Sequence, residues 1–117
     1  MRSHDPLIPL EDALTAGSAV VRFLGSRSLA DYEGDPMLRS AVERQLMIVG
    51  EALNRTLRAA PELVNRIPEA PEAIGFRKLL AHGYDEVVDR LVFNLAHERL
   101  PLLIDRVRAI LDESDKT

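Results

Sequence analysis

Apolar residues recur along this chain at the three-to-four spacing of a helix, and no segment alternates convincingly with the period of two that a strand requires. Leu10, Ala13, Leu14, Gly17, Val20, Val21 and Leu24 fall on one face of a first helix, which Pro9 opens at its first position and Gly25 closes. Ser28-Leu29-Ala30-Asp31 has the form of a capping box and predicts one short turn. Asp35-Pro36 then supplies an N-cap and a first-position proline for a second helix, expected from Pro36 to Ala60. Leu38, Val42, Leu46, Val49, Leu53, Leu57 and Ala60 form its stripe. Ala41, Ile48 and Ala52 widen that stripe to about half the circumference, more than one neighbouring helix covers. The extra width has two readings, a face for a second subunit or simply more intramolecular core.

Pro61, Pro68 and Pro71 break the pattern and predict an irregular passage before a short third helix that ends near Gly83. Asp85 is placed to cap a fourth helix whose buried side offers Val87, Val88, Leu91, Val92 and Leu95. Pro101 predicts a kink or a new start. The stripe continues through Leu103, Ile104, Val107, Ile110 and Leu111, and residues from Asp112 onward read as a frayed polar tail. The sum is an all-α, up-and-down bundle of four to five helices in a single domain over residues 1–117.

Composition narrows the chemistry. Cysteine is absent, which removes disulfides, thiolate nucleophiles and cysteine-bearing zinc sites. The three histidines, His4, His82 and His97, have no second histidine or carboxylate at a recognised ligand spacing, so no metal and no cofactor is expected. No apolar run follows the N-terminus, and none approaches the roughly 18 residues of a membrane span. A cytoplasmic protein without membrane attachment is expected. The formal charge of -4 argues against indiscriminate nucleic-acid binding, so any such role must be local. The cations are 13 Arg against 2 Lys, which favours bidentate contacts to phosphate or carboxylate, although ordinary ion pairs on helix surfaces account for most of them.

One octapeptide carries candidate chemistry. Arg77-Lys78-Leu79-Leu80-Ala81-His82-Gly83-Tyr84 has the spacing R-x4-H-x-Y: an arginine to hold a phosphate, a histidine to move protons near neutral pH, and a tyrosine hydroxyl open to modification. At about 100° per residue, Arg77, Ala81 and Tyr84 lie nearly on one line, while His82 points about 140° away from Arg77. One straight helix does not unite guanidinium and imidazole. Either Gly83 unwinds the helix end and redirects His82, or a symmetric partner lays its own motif opposite and the site is composite. Plainer roles compete at each position: a surface ion pair for Arg77, a helix C-terminal charge for His82, an amphipathic rim residue for Tyr84 and a polar-face carboxylate for Glu51.

The segment from Ile74-Gly75-Phe76-Arg77 through Tyr84, together with Gly50-Glu51-Ala52 on the preceding helix and Leu100-Pro101-Leu102 in the last, resembles the HEPN superfamily and more narrowly the HepT-like toxins. The likeness extends over nearly the whole chain. It implies a homodimer with facing motifs, metal-independent endoribonuclease activity on RNA, and a cognate MNT-type nucleotidyltransferase antitoxin in a type VII-like pair. It also implies that this antitoxin transfers AMP to the motif tyrosine, here Tyr84, with Arg77 and His82 catalytic and Glu51 supporting. Lys78 departs from the family pattern, which often has a neutral polar residue there. Lysine adds phosphate affinity but accepts no hydrogen bond, and this keeps open an alternative, a catalytically idle module that binds nucleotide or RNA and partners the transferase. A helical interaction protein with no nucleic-acid role is the third reading, and it leaves the motif unexplained.

Overall fold

The computed structural model describes residues 5–82 and 86–115, with the side chains at 82, 86 and 87 outside that description. All regular structure among these residues is helical: α1 (Leu7–Leu24), a short α2 (Leu29–Glu33), α3 (Pro36–Ala59), α4 (Ala70–His82), α5 (Glu86–Asn94) and α6 (Leu100–Asp115). A 3-10 turn over Pro61–Asn65 joins α3 to α4, and a π turn over Leu95–Arg99 joins α5 to α6. None of these helices is long and apolar enough to cross a membrane.

The helix starts follow local chemistry. Ser28 and Asp31 cap α2 reciprocally: the Asp31 amide donates to Ser28 Oγ at 3.1 Å, and the Ser28 amide donates to Asp31 Oδ2 at 2.9 Å. These bonds hold the Asp31 carboxyl below its ordinary range. Asp35 Oδ1 accepts from the Leu38 amide at 3.1 Å, and Pro36 occupies the first position of α3. The first helix starts earlier than its proline suggests. Asp5 accepts from the Leu7 amide, so Pro9 sits inside the first turn, where its missing N–H is not needed. At the other end, Gly25 takes φ +50° and closes α1. The last helix runs on to Asp115, where the sequence suggests a frayed tail, because Arg66 grips Glu113 with both terminal nitrogens. Pro101 produces neither kink nor fresh start. The preceding π turn, with the Leu100 amide bonded to the Leu95 carbonyl, leads into a helix that takes the proline at its second residue.

Packing places α1 between α3 and α6, with α4 on the far flank of α3. The α3 stripe is buried as its periodicity predicts, from Leu38 through Leu53, and Ala60 lies in extended backbone just before Pro61. Two expected core residues face outward: Val21 and Leu91 are 42% and 43% exposed, and Ala16, Ala19 and Phe93 are buried instead. The passage into α4 is tied down by Glu69, a buried carboxylate that accepts twice from Arg106 Nε on α6, at 2.7 and 2.9 Å. That bond fixes where α4 begins, and so where the octapeptide lies.

A second polar cluster sits between α2, α3 and α5. Tyr32 is fully buried against Phe93, and its hydroxyl has no hydrogen-bond partner among the described residues. Burial pushes its phenol up, aided by Glu43 and Asp89. Burial likewise raises Glu43, with Asp89 adding to the shift and Arg39, which lies 3.7 Å from Asp89, opposing it. A carboxyl raised by the fold contributes stability that is full below the unfolded carboxylate range and is lost as pH rises through the folded value. Glu43→Gln is therefore expected to raise stability near neutral pH and to bring little change in acid, where Glu43 is itself protonated. Urea unfolding at the two pH values checks this. An equal gain at both would assign the effect to something other than ionisation.

Candidate functional site

Gly50 is the point on which the site is built. A β-carbon there would stand 2.9 Å from the Ala73 carbonyl oxygen and 3.1 Å from Arg77 Cβ, so α3 and α4 approach as closely as they do only because residue 50 has no side chain. That contact sets the next residue of α3, Glu51, beside the motif arginine. Arg77 Nη1 donates to Glu51 Oε2 at 2.6 Å, across 26 positions of sequence. The Arg77 side chain is 29% exposed and that of Glu51 46%, so the pair adds at most about 1 kcal/mol to stability. Its consequence is positional. One of the five guanidinium N–H groups is committed to Glu51, and Nε is enclosed without a partner among the described residues. Among the described residues the other terminal N–H groups have no partner, and these can hold a ligand.

The pair lies on the wall of a groove of about 580 Å³ between α3 and α4. From α4 the groove takes Arg77, Lys78 and Ala81; Ala81 is small and exposed, and widens the space beside the guanidinium. From α3 it takes Glu51 and two residues at its apolar floor, Met47 and Ile48. Arg44 and Arg55 stand at its two ends. Four cations thus face one carboxylate in a chain whose formal charge is -4. An anion is the ligand such a groove favours.

The structure therefore brings Arg77, Lys78 and Glu51 together. The backbone of α4 remains helical through position 82. The His82 side chain and all of Tyr84 lie outside the described residues, so neither is located relative to Arg77. Among the described residues no three His, Asp or Glu side chains cluster as metal ligands would. Two groove residues, Arg44 and Arg55, escaped the reading of the sequence, where each is one arginine among many. One signal was present for Arg44: no acidic residue stands three or four positions away on either side to make it a helix-surface ion pair.

A family model described as "Ribonuclease HepT-like" matches residues 13–110. A protein named "Putative RNase" in Caldanaerobacter subterraneus subsp. tengcongensis is 29% identical over 104 residues, spanning 89% of this chain and 92% of the relative. Another of the same name in Methanocaldococcus jannaschii is 27% identical over 115 residues, spanning 94% of this chain and all of the relative. No solved structure gives a significant match.

Proposed function

The chain belongs to the HepT-like ribonuclease family, and from that membership we propose that it is a metal-independent endoribonuclease toxin whose active site is the α3–α4 groove. The observation that carries this reading is the placement of Arg77 on the groove wall, held by Glu51 at 2.6 Å with donors to spare. The ribose 2′-oxygen attacks the adjacent phosphorus in line, and the bond from phosphorus to the 5′-oxygen breaks. His82 takes the proton from the 2′-hydroxyl, and the departing 5′-oxygen receives one from a second imidazole, that of the partner's His82. An imidazole with a pKa near 6.5, roughly the free value, suits both tasks. Arg77 stabilises the charge that grows on the nonbridging oxygens. DNA is not cut this way, because it lacks the nucleophile.

A homodimer is part of this proposal. At about 100° per residue, the five positions from 77 to 82 on one straight helix would set an imidazole about 140° from the arginine, and a facing motif supplies the missing group. The side of α4 turned about 160° from Arg77 leaves room for a neighbouring helix. Gly75 has nothing within 4 Å of where a β-carbon would stand, and Leu79 is 36% exposed. A glycine inside a helix costs about 1 kcal/mol relative to alanine, and no contact among the described residues accounts for it. A second helix crossing closely at Gly75 would.

Regulation follows from Tyr84, two residues beyond His82 in the sequence. A cytoplasmic nucleotidyltransferase antitoxin of the MNT type transfers AMP from ATP to its hydroxyl. The new phosphate competes for Arg77, and the nucleoside fills the groove. Tyr84→Phe is expected to keep at least partial ribonuclease activity, gain no AMP by intact mass, and escape neutralisation when incubated with the transferase and ATP. Labelling and silencing of that variant as complete as in the parent would move the acceptor elsewhere. Lys78 favours the second reading, a catalytically idle partner of the transferase, since it lines the groove but cannot accept a hydrogen bond to orient His82. Purified, unmodified protein that takes up AMP yet cuts no RNA would select it.

A further inference from the structure

We propose that Arg44 and Arg55, at the two ends of the α3 wall, bind the phosphates on either side of the scissile one, making the groove a track for a ribonucleotide strand several residues long. The inference rests on the ribonuclease reading for the identity of the strand, and on geometry for the track. Positions 44, 48, 51 and 55 are separated by four, three and four residues, so they share one face of α3. The eleven helical steps from Arg44 to Arg55 span about 16 Å of helix axis, too far for one phosphate to satisfy both. Arg77, pinned at Glu51, stands between them. Three guanidinium groups are thus strung along one groove.

Among the described residues neither arginine is firmly engaged. Arg44 is exposed and has no ion-pair partner among the described residues. Arg55 meets Asp12 at 3.2 Å with both side chains about half exposed, and such a surface pair is worth at most about 1 kcal/mol, so a charge-assisted bond to phosphate displaces it readily. Between the cations, Met47 and Ile48 present an apolar floor on which the face of an unpaired base can lie while its flanking phosphates are held. The pattern calls for a single strand, whose bases are free to leave the stack. Arg44 and Arg55 are positioning residues and take no part in the proton transfers.

The test uses the full-length protein, parent against Arg44→Gln/Arg55→Gln, with a non-cleavable 2′-O-methyl oligoribonucleotide as the binding probe and an unmodified oligoribonucleotide as substrate. Each lost phosphate contact on a single strand flattens the plot of log affinity against log salt by about 0.7, so the double variant should lose about 1.4 of slope. KM for cleavage should rise while kcat stays within about twofold. Unchanged affinity and unchanged slope in the double variant would overturn the track. The two readings fail separately. If the parent binds the probe through Arg44 and Arg55 but cuts nothing, the track stands and the ribonuclease does not. If the parent cuts RNA and the double variant does so with the same KM and slope, the ribonuclease stands and the track does not.

Discussion

Arg77→Ala is expected to cut RNA about 10²–10³-fold more slowly than the parent, and His82→Ala about 10²–10⁴-fold more slowly, with the helical fold intact in both. The magnitudes follow from the roles. Removing a preorganised cation from beside a pentacoordinate phosphorus leaves growing charge to solvent alone, and removing a positioned imidazole leaves proton transfer to water. Stability should change little at Arg77, since its one described bond is to the half-exposed Glu51 and surface pairs are worth at most about 1 kcal/mol. Expression of either variant in cells should lose its toxicity in parallel. Single-turnover cleavage and far-UV circular dichroism check the two halves of the statement. An Arg77→Ala protein that is folded and fully active would remove the arginine from the reaction.

Gly50→Val is expected to cost about 1–3 kcal/mol of stability through overpacking and to lower activity as well. Few helical positions would make so conservative a change so costly. The new Cβ meets a backbone oxygen, Ala73 O, at 2.9 Å, and a backbone cannot rotate aside as a side chain does. Helix α4 must shift outward, and Arg77, whose Cβ lies 3.1 Å from the same point, shifts with it. Valine recovers only a few tenths of a kcal/mol of helix propensity over glycine. Loss of the Glu51 contact would leave the guanidinium unaligned, and misplacement by about 1 Å is enough to cost up to about 10²-fold in rate. Urea unfolding measures the first effect and cleavage the second. Parent-like stability in Gly50→Val would mean that the two helices are not held together at this point.

The long helices were legible in the sequence because a 3.6-residue repeat writes itself into the order of residues. The α3 stripe from Leu38 to Leu53, the Ser28–Asp31 capping box and the Asp35-Pro36 start all have local causes. The partnership of Glu51 with Arg77 has none. It depends on two helices meeting at Gly50, a tertiary contact that no spacing within either helix encodes. The extension of α6 past Asp112 likewise depends on Arg66, far back in the chain. Tyr32 sits in a five-residue helix too short to show a periodic face, yet it is fully buried by α3 and α5. Arg55 looks in the sequence like the arginines that make surface ion pairs, Arg44 differs from them only in lacking an acidic neighbour at helical spacing, and the groove singles both out. The octapeptide itself was visible because three chemically distinct residues stand at a fixed spacing.

The central claim is that an imidazole and a guanidinium drive attack by the RNA's own 2′-hydroxyl, and the ends of the products test it most directly. Unmodified protein, incubated with an oligoribonucleotide in the presence of a chelator, should yield fragments ending in a 2′,3′-cyclic phosphate and beginning with a 5′-hydroxyl, resolved by mass. Fragments bearing a 5′-phosphate, or cleavage abolished by the chelator, would point to an attacking water or a required metal ion and contradict the account.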